Sequence, residues 1–548
     1  MPNWATVLTN ELLEEAGKDC STTRELAHKV GNSLKEEVTV DSLFNAHKRH
    51  KDRLELRGSL TDYMGKVDEE PVKGLHYIRW KLSDEVLSEI EESEVFIVTS
   101  ATNNCDLHQG FMKAIDRYRK KNKACLLIIP QRYKNPTNRV DGQIIDEDAW
   151  WPTEIHGRLT DDLVKLHDYL WLMAHVRIQT TAVNPLTGLE AFSEGASAIY
   201  GHPQVAMKTV PTPQNKLPKL MYTTGSCSMA RYSETKAGIK GEFHHTIGAL
   251  IVEKSGDKFF IRNVAADESG GFYDLNHYYG PEKIEKCRNT LALITGDEHV
   301  MFNDKANREA TYTSKNSIVN TLRPEKIVRH DVFDGYSISH HNRKDPIIQY
   351  SKHKNGHHLV QSELELTVRH IEETTPKFSE NIIVASNHHE HLLRWLKESH
   401  PASEPWNADV WLEIWGLLKE TLEFKERGVV YRDPFALWME SRVSVKTRFL
   451  DRDAEDSIGG VMIGFHGDQG ANGARGSIHQ YSKIGAKTVI GHSHSPGIRH
   501  STFQVGTSSS LRLEYTNGPS SWAHCHCVIY PNGKRQLIFV INGEWRKG

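Results

Sequence analysis

Thr290–Val300, TLALITGDEHV, decides how the chain is read. Leu291–Thr295 is a short apolar run closed by Gly296, the pattern of a buried strand in an α/β core. Gly296 is expected to let the backbone turn as the strand ends. Asp297 and His299 are two residues apart, so in extended chain they face the same side. A carboxylate and an imidazole aimed together off a strand end make half of a metal site. With no further ligands, the same residues would be an ordinary strand exit.

Downstream, the pattern repeats four times. Ile327–Arg329 runs into Asp331 and Asp334, and Ile382–Ala385 into Asn387, His388 and His389. The run GGVMIGF ends at His466, and KTVIG ends at His492 and His494. Strand ends of one sheet lie side by side, so these residues can converge. Two divalent ions about 4 Å apart clamp a phosphoryl group and its attacking oxygen, and a shared carboxylate holds such a pair together. A mixture of imidazole, amide and carboxylate donors suits Mn²⁺, Fe²⁺ or Zn²⁺ better than Mg²⁺ or Ca²⁺.

The order Asp-x-His, Asp-x-x-Asp, Asn-His, His, Gly-His-x-His resembles the calcineurin-like metallophosphoesterase superfamily, from about Leu291 to the C-terminus. The resemblance implies a four-layer α/β/β/α sandwich with two metal ions, Mn²⁺ first among the candidates. It implies that Asp297, His299 and His494 bind one ion and Asn387, His466 and His492 the other, with Asp331 bridging. It casts His388 as the general acid, oriented by Asp334. Three positions depart from the superfamily pattern: His330 and Ser386 stand where glycine is usual, and His389 where an acid is usual. Across its length, with segments such as LTGLEAF, EFHH and GPSSW, the chain also resembles the host-DNA-degrading pre-early nucleases of T5-like bacteriophages. That implies a DNase acting on DNA in the host cytoplasm.

Other residues near these motifs admit two readings. His340 and His341 are candidate substrate contacts or solvated loop residues. Glycines recurring around His466 (464, 467, 470, 473 and 476) would present N–H groups to phosphate, with Arg475 adding charge, or form a tight turn. His524-Cys525-His526-Cys527 would alternate faces on a strand, a structural arrangement.

The chain of 548 residues is too long for one core. We read residues 1–62 as a helical, helix-turn-helix-like domain, 63–240 as a middle α/β domain and 241–548 as the phosphoesterase domain. In the first, Ala5–Ala16, a helix from Arg24 ended by Gly31, and Val40–Arg49 leading to HKRHKDR would contact phosphates or build a homo-oligomer. In the second, His76–Trp80 reads as a strand, Glu94–Ser100 and ACLLIIP as parallel strands around a helix, and Asp161–Met173 as a helix. Gly248–Asp274 reads as a hairpin about Ser255-Gly256-Asp257, joining the third domain as edge strands.

Composition excludes several classes. No apolar run is long enough to span a bilayer. MPNWATVLTNELLEE lacks the basic and apolar segments of a secretory signal, and seven scattered cysteines fit a reducing cytoplasm. A net charge of -3 means that nucleic acid would be held by local basic patches. No phosphate-loop or dinucleotide fingerprint is present. Histidine is the unusual residue: 19 of the 31 lie from His299 onward, where the metal pattern falls. The same metals would serve a phosphomonoesterase or cyclic-nucleotide phosphodiesterase, and a DNA-binding regulator with a dead phosphoesterase domain is a third possibility.

Overall fold

The computed structural model describes residues 8–17, 23–35, 38, 42–43, 46–48, 80–134, 139–140, 143–144, 149–213, 216–426, 428–452, 454–513 and 516–547. The chain forms two compact units, Met1–Ile78 and Arg79–Gly548. In the first, helices Asn10–Gly17 and Thr23–Leu34 bury Leu13, Ala16, Leu26, Ala27 and Val30 together. The second helix runs through Gly31 instead of ending there, because one internal glycine costs only about 1 kcal/mol. Half of Val40–Arg49 (residues 40, 41, 44, 45 and 49) and the residues that follow it lie outside the described residues.

The second unit is mixed α/β, built on three large sheets. The strands of these three sheets in chain order are β1 (Val95–Thr102), β2 (Cys125–Gln131), β3 (Leu163–His167), β4 (Leu170–Met173), β5 (Ser197–Tyr200), β6 (Met207–Val210) and β7 (Lys219–Thr223). A hairpin follows, β8 (Gly248–Ser255) and β9 (Lys258–Ala265). Then come β10 (Ala292–Ile294), β11 (Lys326–Arg329), β12 (Glu380–Ile383), β13 (Thr447–Phe449), β14 (Ser457–Ile458) and β15 (Val461–Met462). The last five are β16 (Thr488–Ile490), β17 (Gly497–Arg499), β18 (Thr502–Gln504), β19 (Cys525–Ile529) and β20 (Arg535–Phe539).

Four strands in the order β9-β8-β1-β2 make one sheet, with β1 and β2 parallel around the helix Gln109–Asn122, as the sequence suggests. Six make a second, β13-β12-β11-β10-β19-β20, parallel from β10 to β13 and closed by the antiparallel pair β19–β20 about Pro531-Asn532-Gly533. Ten make the third, β14-β15-β16-β18-β17-β6-β7-β5-β4-β3.

Strand alternation gives each sheet two apolar faces. Phe96, Val98 and Leu127 of the first sheet, Ile294, Val328 and Ile382 of the second, and Leu172, Ile199, Val489 and Phe503 of the third meet in one core. The opposite face of the first sheet, with Ile97, Leu126 and Ile251, buries Phe111, Ile115 and Tyr118 of the helix Gln109–Asn122. The opposite face of the second packs Ile383 against helices Val360–Thr374, His389–Glu398 and Ala408–Lys419, and Leu293 and Ile327 against Ile318 and Leu322. The far face of the ten-stranded sheet buries Ala198, Tyr200 and Met221 against Leu186 and Ala206.

Several expectations change. Asp161–Met173 is a β-hairpin, β3–β4, with a bulge at Lys165–His167, not a helix. The strand-end motifs lie on two sheets instead of one, β10, β11 and β12 in the second and β15 and β16 in the third, and the hairpin β8–β9 adds to β1 and to neither of them. Its outer strand meets β20 through Asn263, whose amide donates to the Arg535 carbonyl (2.9 Å) and accepts from Leu537 N–H (3.1 Å). The first and third sheets both combine strands from either side of residue 240, so the division expected there does not coincide with a break in hydrogen bonding. Of His76–Trp80, only Trp80 is described, and it is not in a strand. The loop after β1 spends its polar groups internally: the side-chain carbonyls of Asn103 and Asn104 accept from Tyr133 N–H and Trp150 N–H. Among the described residues, no helix is long and apolar enough to cross a membrane.

Candidate metal centre

The five strand exits do converge. Asp297 and His299 follow β10, Asp331 and Asp334 follow β11, Asn387 and His388 follow β12, His466 follows β15, and His492 and His494 follow β16. Ligand atoms of Asp297, His299, Asp331 and His494, all buried, lie within 4.8 Å of one another. His494 Nε2 is 3.1 Å from Asp297 Oδ2 and 3.0 Å from His299 Nε2. On the other side of Asp331, His466 Nε2 stands 3.1 Å from Asp331 Oδ2, and the His492 ring lies 5.3 Å, centroid to centroid, from that of His466. Asp331 thus sits between two groups of donors.

The turn that delivers the first two ligands differs from the sequence expectation. His299 is not in extended chain; it has φ 37° and precedes a short 3-10 turn, Val300–Phe302. Asp331 (φ 46°), His492 (φ 69°) and His494 (φ 58°) share this left-handed conformation. It costs a non-glycine residue about 1–2 kcal/mol, and four ligand positions accept it. Gly296 has an ordinary φ; its role is close approach, since a Cβ there would lie 2.9 Å from the backbone of Gly506 and Thr507. Gly491 is needed for a similar reason: a Cβ would come within 2.3 Å of Asp297 Oδ1.

The carboxylates and imidazoles of the centre shift one another against the effect of burial. Burial lowers the His299 pKa, but Asp334, Asp331 and Asp297 outweigh it and lift the ring to about 9. Burial would raise the Asp331 carboxyl, yet His466 and its neighbours hold it well below the ordinary range. His492 and His494 are pushed down chiefly by burial. The decisive feature is incomplete pairing. Asp297 Oδ1, Asp331 Oδ1 and Asn387 Oδ1 are buried with no hydrogen-bond partner among the described residues, while Asp297 Oδ2 and His466 Nε2 have only their 3.1 Å ion-pair contacts to His494 and Asp331. Buried polar atoms normally find partners, and each orphan costs about 1–3 kcal/mol. A cluster of orphans made only of O and N donors fits divalent cations of borderline softness.

Asp334 is placed otherwise than the sequence suggests. Its carboxylate accepts from His299 Nδ1 (2.8 Å), which keeps the proton on that nitrogen, so Nε2 is the atom that would give up its proton to a metal ion. His388 is held by the Asp334 main-chain carbonyl, 2.6 Å from His388 Nδ1, while the carboxylate is 3.9 Å away. The His388 ring packs edge-on to His299 at 4.6 Å and keeps partial exposure. His389 is buried and stacks on Phe435 at 4.1 Å.

Other candidates lie farther out. His340 and His341 gather with His391, not with the buried ligands. Arg475 is exposed on the glycine loop, where Gly470 N–H donates to the Ala474 carbonyl and Gly476 N–H to that of Asp468. Those two N–H groups are therefore spent within the turn. His526 is structural, its Nδ1 accepting from Gly296 N–H at 3.0 Å and its Nε2 lying 2.9 Å from Thr311 Oγ1.

Sequence reasoning missed two features. His330 joins Asp297 and His466 in a further group of converging donors, with its Nε2 unpartnered; its place beside Asp331 was the available signal. Beneath the turn, Glu298 is fully buried and fully paired. It accepts from Arg329 (2.9 Å), Tyr312 (2.5 Å) and Thr295 (3.0 Å) and lies 2.7 Å from His370 Nε2. Burial alone would raise its carboxyl, yet Arg329 and His370 hold it far below the ordinary range.

Fold and site together define a mixed α/β protein with a buried histidine–carboxylate centre of metal-ligand composition. Over 472 residues, covering 83% of this chain and 84% of the other, the sequence is 31% identical to Protein A1 of Escherichia phage T5. The chain belongs to the family of that protein. No family model and no solved structure matches it.

Proposed function

We propose that this protein is a dinuclear-metal phosphodiesterase that hydrolyses DNA. The observation that carries the reading is the ring of unpartnered buried donor atoms around Asp331. Asp297, His299 and His494 would hold one ion and Asn387, His466 and His492 the other, with Asp331 between them. Two divalent ions held there, Mn²⁺ foremost and Fe²⁺ or Zn²⁺ as alternatives, would supply Lewis-acid activation of water and of the phosphoryl group.

The chain's own residues supply orientation and proton transfer. The Asp334 carbonyl can only accept, so His388 Nδ1 carries a proton and Nε2 is the atom that takes up and releases the mobile one. His388 is thereby suited to protonate the leaving oxygen. Asp334 acts through two bonds, its carboxylate setting His299 and its carbonyl setting His388. DNA as the substrate rests on the resemblance to host-DNA-degrading phage nucleases and is supported by kinship with Protein A1 of Escherichia phage T5. The same reading has the protein act in the host cytoplasm as a homo-oligomer.

The test is incubation with linear and supercoiled double-stranded DNA under Mn²⁺, Mg²⁺ or EDTA, followed by gel electrophoresis. Metal-dependent degradation abolished by EDTA is expected. Intact DNA with rapid cleavage of nitrophenyl phosphate would replace this reading with a small-substrate phosphoesterase.

A further inference from the structure

Outside the buried centre, a second group of imidazoles converges. His340 and His341 leave the short 3-10 turn Tyr336–Ile338, and His391 lies in the first turn of the helix His389–Glu398. One ring nitrogen from each lies within 4.8 Å of the other two. The His340 and His341 rings are 3.8 Å apart, and those of His340 and His391 5.2 Å. Nδ1 of His340 and Nδ1 of His391 are buried with no partner among the described residues. Gly335, with φ 68°, admits the close approach: a Cβ there would meet His391 Nδ1 at 3.0 Å. Arg394 and Glu398, which act on His340, pair with each other at 2.8 Å, and the Asp334 carboxylate acts on His391.

The geometry points to His340, His341 and His391 as a separate binding site for one divalent transition metal, distinct from the ions at Asp331. Three imidazole ligands with no carboxylate among them favour Zn²⁺, Co²⁺ or Ni²⁺ over Mg²⁺ or Ca²⁺. Nitrogens about 2.0–2.1 Å from a tetrahedral metal stand about 3.3 Å apart, and an exposed His341 side chain can swing to close that gap. Three protein ligands leave a fourth position for an outside oxygen. The His391 ring lies 5.1 Å from that of His388, on the accessible side of the centre. If the phosphodiesterase reading holds, an ion here would grip a phosphate next to the one being cleaved.

The experiment is a count of ions. Metal-free full-length protein is equilibrated with Co²⁺, and bound cobalt per chain is measured by elemental analysis for wild type, H340Q/H341Q and Asp331→Ala. H340Q/H341Q should bind one ion fewer than wild type, whatever the wild-type total, while Asp331→Ala keeps the ion that the double variant loses. Circular dichroism confirms folding, and the single His341→Gln, at an exposed position, gives the same loss should the double variant unfold. Equal cobalt content in wild type and both histidine variants would overturn the site; equal content with weaker DNA binding would reassign the histidines as direct phosphate contacts. Failure of the main centre reads differently, because Asp331→Ala would then retain every ion.

Discussion

Glu298 and Asp297 are neighbours in sequence and equally buried, but they differ in how their oxygens are paired. Glu298 has Arg329, His370, Tyr312 and Thr295 around it, and every carboxylate oxygen is used. Asp297, one residue earlier, has Oδ1 without a hydrogen-bond partner among the described residues, and Asp331 Oδ1 and Asn387 Oδ1 share that condition. Buried charge by itself therefore does not mark a functional centre. A closed network is scaffold, and a buried ion pair of that sort fixes geometry more than it adds stability. An open one of mixed N and O donors is where an external cation fits.

The contrast can be broken from either side. Asp331→Ala should have the largest effect: metal content at the centre falls, and turnover drops by on the order of 10³-fold or more. His388→Gln should keep its metal and lose about 10²–10⁴-fold in turnover, most on substrates with poor leaving groups. Unchanged turnover would remove His388 from the mechanism.

Arg329→Met turns the closed network into an open one by stranding Glu298, and should cost about 3–5 kcal/mol in urea unfolding. A cost under 1 kcal/mol would mean that Glu298 is not held as described. Saturating metal sharpens the comparison: Mn²⁺ at about 100 times its Kd should stabilise wild type by about 2.7 kcal/mol, and Asp331→Ala much less. The smallest effect concerns acid. Glu298 is depressed in the folded state, so its contribution is complete above its unfolded value near 4.5 and is lost as pH falls. Glu298→Gln should flatten the fall in stability on acidification, and an unchanged slope would contradict that pairing.

Much of the centre was legible because strand exits carry a local signal: an apolar run, then Asp, Asn or His. All nine residues predicted as ligands or catalytic groups sit at those exits. What the sequence hid was pairing at a distance. Leu163–Met173 has apolar residues at spacings that serve a helix or a bulged hairpin, and only its partners across the sheet decide between them. His370 looks like one polar residue of an amphipathic helix until Glu298 is found 2.7 Å away. Asp334 has the spacing of a partner for His388, but its carboxylate turns to His299 and only its backbone serves the other ring.

The junction of β6 with β17 limits how this chain can be recombined. Met207 and Lys208 pair with Ile498 and Gly497, and β17 begins three residues after His494. A strand encoded almost three hundred positions earlier therefore flanks the loop that carries a ligand. Shortening β6 by one residue would invert its facing pattern and drag β17 with it. Descendants of this sequence would have to inherit both stretches together, and a crossover between them would join halves whose edges no longer match.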